Sequence, residues 1–242
     1  MLHVAINSRD FFLQRPSDLE SMWERMADQD LDPDEHIPYW VELWPASIVL
    51  AQWLVAQEKR IAGHRCLDLG CGLGLCTQAA ASCQARVVGT DYEVQALHFA
   101  QEGAGTNQPW TWLGMDWRCP CFKPKSFPFI FGADILYESR FFAPIIDLWA
   151  NLLTPGGKIW ITDPEREVSR PFWSDILPRK GLRANCVLQE KVSYQSYQNM
   201  QISLWEVSFG SGKSAISLGP KRPENVLEES SSIWSGFPPA RK

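Results

Sequence analysis

The sequence predicts an α/β fold: a doubly wound, mostly parallel sheet of seven strands that ends in an antiparallel C-terminal hairpin. Three observations predict it. From residue 64 onward, short apolar or β-branched runs alternate with helix-compatible segments, the pattern of parallel strands covered by helices on both faces. The first such run, "CLDLG", opens into glycines at every second position, a bare strand-to-helix turn. Near the C-terminus the alternation changes, and "ANCVLQEKVSY" and "NMQISLWEVSF" with a polar break between them read as an antiparallel pair.

Taken in chain order, "PASIVLAQWLVAQEK" (45–59) is an amphipathic helix with Pro45 at its start, where the missing N–H costs nothing. "RCLDLG" (65–70) is a buried parallel strand, and "LCTQAAASCQ" (75–84) is the helix that follows. "ARVVGTD" (85–91) is the second strand of the series, and "EVQALHFAQEGAGTN" (93–107) is helical until its glycines. "WTWLGMD" (110–116) and "FIFGADILY" (129–137) are two further strands. "RFFAPIIDLWANLL" (140–153) places Phe142, Ile145, Ile146, Trp149 and Leu153 on one helical face, with Pro144 tolerated in the first turn. "TPGGK" (154–158) is a tight turn, and "KIWITDP" (158–164) is a fifth strand.

The expected organisation is an N-terminal extension or lid over 1–37, one domain over 38–210 and a disordered tail over 211–242, rich in Gly, Ser, Pro, Lys and Glu. With 242 residues, 45% of them hydrophobic, the chain is long enough for one substantial core. A formal net charge of −5 argues against nucleic acid as the partner. No apolar run is long enough to span a bilayer, so no membrane is expected. The first residues lack the charged and apolar regions of a secretory leader. Seven cysteines without a framework read as reduced thiols, and a cytoplasmic location is expected. Cys119 and Cys121 have no His nearby, so no metal site is expected.

The glycines at 70, 72 and 74 form G-x-G-x-G. A dinucleotide turn places its third glycine one residue later, and a ligand-free turn would use the same spacing. Asp68 separates these readings. An anion two residues before the turn repels a pyrophosphate and attracts an ammonium group. Asp91 closes the next strand about twenty residues after the loop opens, where a carboxylate takes ribose hydroxyls; Tyr92 beside it is grouped with the cofactor residues. Asp116 closes the third strand of the series and is placed to accept from an adenine amino group, with Trp117 as a wall. Three acids at successive strand ends beside a glycine loop point to S-adenosylmethionine, leaving as S-adenosylhomocysteine.

"LDLGCGLG", "GTD", "MDW", "ADILY" and "TPGGK", in this order, resemble the seven-β-strand (class I) S-adenosylmethionine-dependent methyltransferases, whose sheet is Rossmann-like. "PYWVELWPAS", the D-x-x-Y of "DILY" and "WITDPER" are more narrowly similar to the family-16 protein lysine methyltransferases, nearest the branch acting on the β-subunit of electron-transfer flavoprotein. The resemblance covers roughly residues 36–210. It implies that Trp44 packs beside the methionine end of the cofactor, that Gly70, Gly72 and Gly74 form the cofactor loop, and that Asp91, Asp116 and Trp117 hold the nucleoside. It also implies that Asp134 and Tyr137 face the target amine as the catalytic pair. One departure stands at Leu136, where the family usually carries an aromatic.

From these, a protein lysine N-methyltransferase is the expected function, with that flavoprotein subunit or a similar cytosolic protein as partner. A small-molecule amine N-methyltransferase and a non-catalytic S-adenosylmethionine-binding module are the alternatives. Asp134 is expected to orient the amine, Tyr137 to wall its channel, and Glu42 either to hold the cofactor's ammonium or to line the acceptor mouth.

Overall fold

The computed structural model describes residues 1–17, 21, 38–105 and 110–209. Two antiparallel strands, β1 (Leu2–Ile6) and β2 (Arg9–Leu13), come first, and a 3-10 turn at Tyr39–Val41 leads towards helix α1 (Pro45–Ala56) and the short α2 (Glu58–Ile61). The central series is β3 (Arg65–Leu69), α3 (Leu75–Ser82), β4 (Arg86–Asp91), α4 (Val94–Ala104), β5 (Thr111–Gly114), β6 (Phe127–Ala133), α5 (Phe142–Leu152) and β7 (Leu153–Asp163). A π-helical turn, Phe172–Ile176, then runs into α6 (Leu177–Arg179), and the hairpin of β8 (Leu182–Tyr194) and β9 (Tyr197–Phe209) completes the described fold.

The seven-stranded sheet has the order β5-β4-β3-β6-β7-β9-β8. β3 to β7 pair in parallel, and β9 enters antiparallel between β7 and β8. Strand alternation builds two apolar layers. Cys66, Phe131 and Trp160 face one core with Leu50, Leu54, Leu75 and Ala79 of α1 and α3. Their chain neighbours Leu67, Ile130, Ile159 and Ile161 face the other, against Ile145, Ile146 and Trp149 of α5. The sheet is therefore covered on both sides, as the continuous apolar strands require. Among the described residues no helix is long and apolar enough to cross a membrane.

Several boundaries differ from the sequence expectation. The strand expected over 129–137 ends at Ala133, because Asp134 adopts a left-handed φ of 55°. Its amide donates sideways to the Thr162 carbonyl at 2.8 Å, so the chain leaves the ladder with its last N–H satisfied. "TPGGK" is an irregularity within β7: Leu153 pairs with Phe127 and pairing resumes at Lys158 with Phe129. Gly156, at φ 77°, supplies the bend. Leu153, expected at the end of a helix, opens that strand.

The expected lid begins as part of the core. β1 and β2 turn through Asn7 and Ser8, both at positive φ (45° and 64°), the geometry of a tight hairpin. Val4, Ile6, Phe11 and Leu13 are buried with the α1 and α3 side of the sheet. A Cβ on Gly103 of α4 would lie 2.6 Å from the Gln14 nitrogen, so the hairpin rests directly on that helix. The rest of the extension, beyond residue 17 and apart from Ser21, lies outside the described residues up to 37, as does the expected tail over 211–242.

Candidate active site

The carboxyl ends of β3, β4, β6 and β7 open into one cleft of about 420 Å³. Trp44, Asp68, Gly70, Gly72, Gly74, Asp91, Tyr92, Asp116, Trp117, Asp134 and Tyr137 all line it. Parallel strands explain the convergence: each ends at the same edge, and each contributes its last residue or the start of its loop. Leu136 is buried under α5 and is not among the lining residues, so the departure at that position leaves the wall of the cleft unchanged.

One end is a cradle. Gly70, Gly72 and Gly74 all have left-handed φ, at 63°, 49° and 84°, which side chains strain to adopt. At Gly74 the packing is also closed, since a Cβ there would meet Trp112 at 2.5 Å. Asp91 holds the loop: its Oδ2 accepts the Gly72 amide at 2.9 Å and its Oδ1 the Glu93 amide at 3.0 Å. A carboxylate oxygen accepts more than one hydrogen bond, so both remain able to receive hydroxyls from a ligand. Burial pushes the Asp91 carboxyl up to about 6, against the amides that favour its ionised form.

Asp68 lies deeper, 1% exposed, and Thr77 in the first turn of α3 donates its hydroxyl to Oδ2 at 2.7 Å. Burial is the main reason its carboxyl is raised to about 7. Asp116 is engaged by Arg118, whose Nε, Nη2 and amide all donate to it; those hydrogen bonds hold its carboxyl below the usual range. An adenine amine there would share the carboxylate with this guanidinium. Trp117 packs edge-on to Phe141 at 5.3 Å and flanks Gly70.

The other end is aromatic. Tyr39 stands 5.3 Å from Tyr137 and 6.1 Å from Trp44, and Trp44 stands 5.6 Å from Tyr197 of β9. Trp44 is fixed by its indole N–H, which donates to the Tyr39 carbonyl at 2.9 Å. Burial raises the Tyr137 phenol far above its ordinary value, so it stays protonated. Glu42 lines the cleft while pairing with Arg15 at 3.0 Å.

Arg166 was not singled out in the sequence. It reaches back from the loop after β7, with Nη2 donating to Asp134 Oδ2 at 2.9 Å and Nη1 to Oδ1. It closes "WITDPER", a stretch that carries the family resemblance without assigning its cation a role, and placing it on Asp134 requires knowing that β6 and β7 are neighbours. Among the described residues no cluster of three or more His, Cys, Asp or Glu side chains is arranged to hold a metal ion.

The architecture and the cradle at its strand ends define a class I methyltransferase fold. Among solved structures, a magnesium protoporphyrin IX methyltransferase from Synechocystis PCC 6803 with bound S-adenosylhomocysteine superposes with a TM-score of 0.56 at 16% identity, covering 79% of this chain and 95% of that one. A TehB-like S-adenosylmethionine-dependent methyltransferase from Corynebacterium glutamicum gives 0.51 at 15%, covering 77% and 94%. The family model described as "Lysine methyltransferase" matches residues 35–176, and the chain belongs to that family. Ribosomal protein L11 methyltransferase of Pseudomonas fluorescens is 30% identical over 119 residues, 48% of this chain and 38% of that protein. The enzyme of the same name from Azotobacter vinelandii is 34% identical over 120 residues, again 48% and 38%. The match thus spans well under half the length of these relatives.

The family implies S-adenosylmethionine, and the residues fit it. The glycine cradle admits close backbone approach, Asp91 presents anchored acceptors for a ribose, and buried acids face a ligand carrying an ammonium and a sulfonium. This has a consequence for pH. Asp68 and Asp91 hold protons up to about 7 and about 6 in the folded chain, but only to about 4 when unfolded. The stability these bound protons contribute is fully present below about pH 4 and is lost as pH rises from there through their folded values. The melting temperature without ligand is therefore expected to fall between about pH 4 and 7. The rise produced by saturating S-adenosylmethionine is expected to grow over the same interval, because its cations favour the ionised acids. Melting curves with a ligand-induced rise that is flat in pH contradict this placement.

Proposed function

We propose that the chain transfers a methyl group from S-adenosylmethionine to the ε-amine of a lysine in a protein, with the β-subunit of electron-transfer flavoprotein or a similar cytoplasmic protein as acceptor. The observation that carries the reading is the junction of the cleft's two ends. The glycine cradle meets an aromatic wall of Tyr39, Trp44 and Tyr137, with Tyr197 packed against Trp44 and the Asp134 carboxylate in the same cleft. A long alkyl chain ending in an amine matches that wall. The family of the chain supports lysine as the acceptor.

When bound, the cofactor supplies an electrophilic methyl group on a cationic sulfur. The residues of this chain do the rest. Gly70, Gly72 and Gly74, with Asp91, Asp116, Trp117 and Trp44, would hold the donor in the part of the cleft that adjoins the aromatic end. The aromatic walls confine the acceptor to an in-line approach, and such orientation is worth roughly 7–11 kcal/mol of barrier. Free lysine, with a pKa of about 10.4, is neutral about one part in a thousand near neutrality. A cation about 5 Å away at an effective dielectric near 20 lowers that value by roughly two units. Desolvation among the rings acts the same way. Asp134 orients the amine by accepting a hydrogen bond from its N–H. The Tyr137 hydroxyl, held protonated, is a donor or a wall and not a base. The proton leaves to water.

The test is incubation of the chain with methyl-labelled S-adenosylmethionine and an extract of cells lacking it. Label is expected in a protein band that protease removes, at lysine on acid hydrolysis. Label found only among small molecules overturns the protein acceptor, and donor binding without any labelling overturns the enzymatic reading.

A further inference from the structure

Asp134 poses a difficulty for the reaction proposed above. A carboxylate beside an amine favours the ammonium form, typically by one to three pKa units, and an ammonium has no lone pair to give. The structure contains a remedy. Arg166 engages both oxygens of Asp134, and the two side chains are only 17% and 6% exposed. Such a fork is a charge-assisted pair with fixed geometry. Arg166 also lines the cleft and lies over the Trp44 ring at 5.9 Å.

We propose that Arg166 is a positioning residue that sets the proton state of the acceptor amine, cancelling the field of Asp134 so that the amine meets a paired carboxylate. The inference rests on the reading of the cleft as a lysine methylation site. With its charge matched, Asp134 keeps spare lone pairs to receive an N–H. It orients the amine without holding it as a cation.

The other groups around this pair do not replace Arg166. From the end of β7, Asp163 adds a further acid, bonded by the Trp173 indole at 2.6 Å and raised by burial to about 6. From β9, the Tyr197 phenol is raised by burial to about 12 and is neutral. From the segment before α1, Glu42 is paired with Arg15, and Tyr39 brings a phenol. Past Asp134, Tyr137 is protonated and Glu138 is paired with Arg140. The residue before Arg166, Glu165, is turned to Ser203 and Gln189. Arg166 is thus the cation in direct contact with Asp134.

The test compares wild type, Asp134→Asn, Arg166→Met and the double variant Asp134→Asn/Arg166→Met. Two readouts are taken across pH 6 to 10. One is the initial rate of label transfer to cell extract, normalised to each variant's own maximum. The other is the titration of carbon-13 n-butylamine bound beside S-adenosylhomocysteine, followed by NMR. Calorimetry with S-adenosylhomocysteine verifies that each variant is folded. Arg166→Met is expected to move both profiles to higher pH by about one to two units, Asp134→Asn to move them lower, and the double variant to return close to wild type.

Asp134→Asn and the double variant differ only in the Arg166 charge, so a lower titration in the first than in the second is decisive even if Arg166→Met alone does not fold, and coincident titrations overturn the inference. A loss of rate uniform in pH, with the butylamine titration unmoved, shows a structural ion pair and overturns the inference alone. Absence of labelling by wild type removes the proposed function together with it.

Discussion

Asp91→Ala is expected to weaken binding of S-adenosylmethionine and S-adenosylhomocysteine by about 10²- to 10³-fold, measured by calorimetry. Two effects combine. A carboxylate receiving both ribose hydroxyls makes charge-assisted hydrogen bonds of about 1.5–3 kcal/mol each, and about 3–4 kcal/mol together corresponds to that range. The same carboxylate also holds the cradle, since its oxygens accept the amides of Gly72 and Glu93. Without it, the loop loses the bond that ties its middle glycine to β4. The natural control is the next residue. Tyr92 is 60% exposed, so its ring contributes a rim contact, and Tyr92→Ala is expected to change affinity by less than about tenfold. An Asp91→Ala variant that binds within tenfold of wild type would mean that the nucleoside sits elsewhere in the cleft.

Asp134→Ala is expected to lower stability by about 3–5 kcal/mol, because it strands the buried Arg166 guanidinium without its partner. For a chain of this size that is a fall in melting temperature on the order of 10 °C. Asp163, the nearest other acid, is bonded by Trp173 and offers at most partial compensation. Adding Arg166→Met to Asp134→Ala removes the stranded charge, so the double variant is expected to be the more stable of the two. Strictly additive losses would show that the two side chains do not act as a pair. Label transfer should be absent from Asp134→Ala at a temperature where it is fully folded, with donor binding retained. That outcome separates the acceptor end of the cleft from the cradle.

The sequence carried most of the sheet and nearly all of one end of the site. Strand periodicity, the punctuating glycines and the acids at strand ends are local signals, and they placed Asp68, Asp91, Asp116 and the glycine loop at one edge before any topology was known. The boundaries that moved are those where local pattern and tertiary pairing disagree. The apolar run through Ile135 and Leu136 extends the β-like pattern, but the left-handed φ of Asp134 ends the strand earlier. "TPGGK" carries turn residues, yet strand pairing exists on both sides of it. The hairpin over residues 2–13 had a readable alternation, with Leu2 paired to Leu13 and Val4 to Phe11 around the Asn7–Ser8 turn. Its place on α4 depends on the missing side chain of Gly103, whose reason is visible only in three dimensions.

What the sequence determined by itself is the glycine cradle, because backbone conformation at glycine and the last residue of a parallel strand are set within one β-loop-α unit. At the aromatic end, the family resemblance named Trp44, Asp134 and Tyr137, and the tertiary structure added Tyr39, Arg166 and Tyr197. Tyr39, Trp44, Asp134, Tyr137, Arg166 and Tyr197 come from stretches well separated in the chain and meet because β6, β7 and β9 are neighbours. Charge cancellation between Asp134 and Arg166 acts over a few ångströms of space, a distance that thirty-two positions of sequence separation do not reveal.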